Sequence, residues 1–187
     1  MRKLKLQVQV TVDGYMGGPN GEMNWMSHPW SDDLSEYVDA LGRSVDTIVL
    51  GRKLAEGFIP AWESGPEGET QESIDWMNDT PKVVISNSLK ESPWANATVA
   101  GGDLADTVNT LKSRDGGDLI VYGGGTLVRD LIAGELIDDL HLFVNPAAIG
   151  SGLPVFPGLG TPQRFRFVAS TSFECGITAL HLQPERS

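Results

Sequence analysis

The chain has 187 residues, a length one compact fold can reach, and its 40% apolar content with five Trp and six Phe is enough to bury a sizeable core, which excludes a disordered segment. Its 25 acidic against 14 basic residues leave a net charge of −11. That balance repels phosphate backbones and anionic lipid over most of the surface, so neither a nucleic-acid nor a membrane partner is expected, and a small phosphorylated ligand must be held by a few local cations and backbone N–H groups.

Residues 3–12 alternate polar and apolar, which predicts a strand with Leu4, Leu6, Val8, Val10 and Val12 on one face. The other face carries Gln7, Gln9 and Thr11 and lines a polar cleft if the strand is central. Residues 13–21 are dense in glycine and read as a mobile loop. Ser31 is a plausible N-cap for a helix that has Asp32 and Asp33 in its first turn, places Leu34, Tyr37, Val38 and Leu41 on one side, and ends near Gly42. Buried strands are predicted at 47–50 and 82–86, separated by an exposed excursion over 60–72 and a short helix around 74–77. Asp103 caps a further helix. A strand follows at 119–122, then the glycine turn 123–125 and a helix over 126–133 closed by Gly134. A strand at 140–144 and a β-hairpin formed by 164–173 and 177–183 complete the pattern. The whole reads as one α/β domain spanning 1–187, with a mostly parallel central sheet and an antiparallel C-terminal hairpin.

The single cysteine, Cys175, can form no internal disulfide, the start lacks a signal-peptide core, and no apolar run approaches the roughly 18–20 residues that span a bilayer. A cytoplasmic protein is the expectation.

In sheets of this kind ligands bind beyond the C-terminal strand ends. Gly123, Gly124 and Gly125 let the backbone approach a pyrophosphate at a helix start, whereas a plain strand-to-helix turn is the bland alternative. Gly51-Arg52-Lys53 adds charge past another strand end, and Ser86-Asn87-Ser88 is a third, weaker element. The usual G-x-G-x-x-G fingerprint is absent after the first strand. His28, His141 and His181 have no metal-ligand spacing, so no metal is expected.

Taken in order, residues 11–16, Gly51-Arg52, 84–89, 122–128, 138–142 with Pro146, and Gly150-Ser151-Gly152 resemble the C-terminal reductase domain of riboflavin-biosynthesis deaminase/reductases, and through it dihydrofolate reductase. The resemblance implies a dihydrofolate-reductase-like three-layer α/β/α fold and an NADPH-dependent reductase of a small heterocyclic substrate, with 5-amino-6-(5-phosphoribosylamino)uracil as the family's compound. Dihydrofolate reduction and a non-catalytic NADPH-binding module are the alternatives. It further implies Gly51, Arg52 and Lys53 near the adenosine phosphates, Ser86 and Asn87 near the ribose 2′-phosphate, and Gly123, Gly124, Gly125, Thr126 and Leu127 around the pyrophosphate. Gln9, Met16 and Gly17 would border the nicotinamide. Residues 13–25 would form a lid, with Thr11, Asp13 and Trp25 towards the substrate. Asp32 or Asp33 would be the carboxylate at the head of the first helix that takes part in proton transfer, although both also suit a helix first turn by charge alone. The helix from Asp33 to Arg43 departs from the family by carrying Glu36 and Asp39 where those reductases place basic residues for a ribose phosphate. No zinc motif of the deaminase half occurs in these residues, so the deaminase activity is not expected of them. A homodimer is the expected assembly.

Overall fold

The computed structural model describes residues 1–185. Its centre is an eight-stranded sheet in the order β5-β4-β3-β6-β1-β7-β10-β9. The strands are β1 (Leu4–Thr11), β3 (Val45–Gly51), β4 (Lys82–Ile85), β5 (Ala97–Ala100), β6 (Asp118–Tyr122), β7 (Asp139–Asn145), β9 (Phe165–Ser172) and β10 (Thr178–Pro184). From β5 to β7 every pairing is parallel, and β10 and β9 then add antiparallel. Two short strands, β2 (Tyr15–Gly17) and β8 (Leu153–Pro154), pair apart from it.

The alternation of β1 sorts the two faces. Leu4, Leu6, Val8 and Val10 join the larger core under α4 (Leu104–Ser113) and α5 (Gly125–Ala133). The opposite face is covered by α1 (Asp32–Gly42), α2 (Arg52–Glu63) and α3 (Gln71–Asp79) in two separate apolar clusters. One gathers Leu41, Ile48, Leu50, Ala55 and Ile59; the other seats Leu34 on Phe143, Phe173 and Ile177. Between them runs the polar edge of β1, with Gln7 paired across to Tyr122 on one side and His141 on the other. The three-layer arrangement and central cleft match the expectation.

Several boundaries differ. Val12 does not face inward: it is 62% exposed, because β1 stops at Thr11 and the Gly14 N–H closes a turn onto the Thr11 carbonyl at 3.0 Å. Residues 52–63 form a full helix despite Gly57 and Pro60, since Ala55 and Ile59, one turn apart, bury against the sheet. The exposed excursion is therefore confined to 64–70. The strand β5 is short and only half buried, which left no alternating signal.

Arg2, Lys3, Lys5 and Lys112 pair with Asp46, Asp139, Asp118 and Asp138 along the edge where the parallel strands begin. Among the described residues no helix is long and apolar enough to cross a membrane.

Candidate active site

At the opposite edge β4, β3, β6, β1 and β7 end side by side in Ile85, Gly51, Tyr122, Thr11 and Asn145. Two helices start there from glycine: Gly51 is the N-cap of α2 and Gly124 of α5. The two turns touch. A Cβ on Gly51 would lie 3.3 Å from Leu127 Cβ, and one on Gly124 would lie 3.7 Å from Leu54. Gly123 (φ 38°) and Gly124 (φ 83°) adopt left-handed backbone, which glycine tolerates without cost.

Like α1, whose N-cap Ser31 makes no side-chain cap bond, these two helices start without one. Thr70 and Asp103 close the starts of α3 and α4 with side-chain hydrogen bonds, whereas α2 and α5 have no side-chain cap. Their first-turn N–H groups and positive dipole ends are thus left without a side-chain cap at adjacent strand ends. Arg52 opens α2 with Nη1 donating to Glu56 Oε1 at 2.6 Å, and Lys53 is exposed beside it. On the next strand end Asn87 Oδ1 accepts from Gly102 N at 2.6 Å, and Ser86 Oγ accepts from the N–H groups of Ser88 and Leu89. The structure therefore brings together 51–53, 86–87 and 123–127 on one edge.

The loop after β1 is tied down. Asp13 accepts from Gly150 N at 2.7 Å and from Ile149 N, and the Thr11 hydroxyl foremost, with these backbone donors, holds its carboxyl below the usual range. Tyr15 N donates to Thr11 Oγ1 at 2.9 Å. Met16 is buried and Gly17 pairs with Leu153. Trp25 Nε1 donates to Glu22 O at 3.0 Å. The side chains of Thr11, Asp13 and Trp25, expected near substrate, are thus engaged in holding the loop to itself and to 149–150.

Gln9 Oε1 accepts from Asn145 Nδ2 at 2.8 Å, while Asn145 Oδ1 accepts from Ser27 N at 2.9 Å. Asp33 behaves as a tie. The Ser31 hydroxyl at 2.5 Å is the foremost group that keeps its carboxyl below the usual range, outweighing partial burial, with Glu174 N and Leu34 N adding donors. A carboxyl held ionised has no proton to give near neutrality. Asp32 is exposed, with no partner among the described residues.

Under α1 the cleft opens into a cavity of about 480 Å³ bounded by α1, α2 and α3, with Gln7 and Tyr122 among its lining residues. Trp62 and Trp76 also line it. Tyr122 stacks on Phe58 with ring centroids 5.6 Å apart, and burial pushes its phenol far above the ordinary value. It stays protonated at physiological pH.

A family model described as the RibD C-terminal domain matches residues 2–179. The chain belongs to the RibD C-terminal domain family. The Bacillus subtilis protein YyaP, itself uncharacterized, is 30% identical over 182 residues, 96% of this chain and 93% of YyaP. A putative riboflavin biosynthesis protein from Shewanella sp. PV-4 is similar in fold, with a TM-score of 0.79 and 22% identity over the whole of both chains. Dihydrofolate reductase from Enterococcus faecalis, complexed with NADP(H), gives a TM-score of 0.65 and 14% identity over 98% of this chain and 97% of that one. The dihydrofolate-reductase-like architecture is thereby shown for this RibD C-terminal domain. Sequence reasoning missed Asn145, Tyr122, Trp62 and Trp76 as site residues and read Gln7 only as cleft lining. A polar residue closing the apolar run 142–144 before Pro146 was the available signal for Asn145.

Proposed function

We propose that this RibD C-terminal domain is an NADPH-dependent reductase of a small heterocyclic substrate. The observation that carries the reading is the pair of uncapped, glycine-started helices meeting at adjacent strand ends. Open N–H groups backed by helix dipoles suit a pyrophosphate, and Arg52 and Lys53 supply local cations on an otherwise acidic protein. Ser86 and Asn87 would stand nearest the adenosine ribose, and Gln9, Met16 and Gly17 nearest the nicotinamide. NADPH, when bound, supplies a hydride; the chain supplies orientation and a dry cleft. The loop tied by Asp13 would cover one end of that cleft, and the protonated Tyr122 would offer the cavity a hydrogen-bond donor.

Fluorescence titration with NADPH and NADH, paired with NADPH oxidation in the presence of 5-amino-6-(5-phosphoribosylamino)uracil and other heterocycles, tests this. Arg52→Ala is expected to weaken NADPH binding about tenfold, the effect of losing one charge-assisted contact. Unchanged affinity would remove the phosphate from this edge. Binding without oxidation by any heterocycle would leave a cofactor-binding module instead.

A further inference from the structure

The cavity under α1 holds polar groups that the fold itself does not use. Gln7 is only 8% exposed, yet its side-chain amide has no hydrogen-bond partner among the described residues, and it lines the cavity. The amide is open to the cavity and free to bond whatever enters it. The indole N–H of Trp30, on the same cavity, is buried outright and unpaired, a costly state that native proteins seldom leave unless something else fills the place. At about 480 Å³ the space falls within the roughly 300–1,000 Å³ typical of small-molecule sites.

The walls and rim set the chemistry. Trp62, Trp76 and Tyr122 bring aromatic rings to the lining. Asp39, Glu69 and Glu72 share the lining with a single guanidinium, Arg43, and none of these four side chains forms a hydrogen bond or ion pair with another described residue.

Building on the reductase reading, we infer that this cavity selects a planar heterocycle without a phosphate group, neutral or cationic, whose lactam or amidine edge is read by the Gln7 amide. A carboxamide offers a donor and an acceptor side by side, the complement of such an edge. Aromatic faces stack planar rings and attract cations. Three unneutralised carboxylates against one guanidinium repel a dianionic phosphate carried by the same ring.

The test is binding to the full chain saturated with NADP⁺, followed by tryptophan fluorescence, for 5-amino-6-(5-phosphoribosylamino)uracil and its dephosphorylated ribosylamino counterpart. The dephosphorylated compound is expected to bind at least about tenfold more tightly, a difference of one modest charge repulsion. Glu69→Gln combined with Glu72→Gln, both at exposed positions that the fold tolerates, should narrow that preference. Gln7→Leu should weaken both compounds, with circular dichroism confirming the fold. Equal or tighter binding of the phosphorylated compound, or binding of neither, overturns the inference. A preserved binding preference with no NADPH oxidation by either compound would support the selectivity and count against the reductase reading alone.

Discussion

Asn145 connects three parts of the site through one side chain. It is fully buried, ends β7 directly opposite Thr11, donates to Gln9 and receives the Ser27 N–H. Asn145→Ala strands the Gln9 carbonyl and the Ser27 amide together. Both partners are half-buried, so the cost lies at the low end of the roughly 1–3 kcal/mol of an unsatisfied buried group, and a loss of about 1 kcal/mol is expected in urea unfolding. A loss below about 0.5 kcal/mol, the ordinary effect of a neutral surface change, would mean that water replaces the side chain without penalty. Asp33 illustrates the opposite case. Its position at the helix head was visible from the spacing of the apolar residues behind it, but its role depends on Ser31 and on Glu174, which lies 141 residues away in sequence. No local pattern announces a partner at that separation.

At the scale of elements, the loop after β1 and the loop carrying β8 are bound to each other. Val155 N donates to Gly14 O at 3.0 Å, Asp13 holds Ile149 and Gly150, and a Cβ on Gly152 would run into the Gly17 carbonyl. Gly152→Ala should therefore part β2 from β8 and speed amide exchange at Val155, leaving protection of β1 unchanged; an unaltered Val155 rate would show that the neighbour gives way. Strands with strict alternation, such as β1, and helices with a capping residue, such as α4, were legible in the sequence because their signals are local. The helix α2 was not, as Gly57 and Pro60 mask a stripe that tertiary burial of Ala55 and Ile59 rescues. The site was half legible for the same reason. Glycine turns declare themselves through composition, but the unused amide of Gln7 and the wall of Trp62 and Trp76 exist only once α1, α2 and α3 are packed over the sheet.

Across the whole molecule, acid should act first through His141. Burial, aided by the stacked His181 ring 4.2 Å away, pulls His141 from 6.5 to about 4, against the attraction of Asp139. Between those values the unfolded chain takes up a proton that the folded chain refuses. Stability is therefore complete above pH 6.5 and falls as the pH drops towards 4, by about 3 kcal/mol for a shift of this size. Denaturation midpoints measured from pH 7 to pH 4 should show that slope, and His141→Leu should flatten it. An identical slope in the variant would move the effect to another group. Finally, the ion pairs of Arg2, Lys3, Lys5 and Lys112 sit on the rim where strands begin, while the glycine-started helices open on the rim where strands end. Reinforcement of the fold and the proposed grip on the cofactor are consequently lodged at opposite rims, so hardening substitutions at one can be stacked with retuned cofactor recognition at the other and their free energies should simply add.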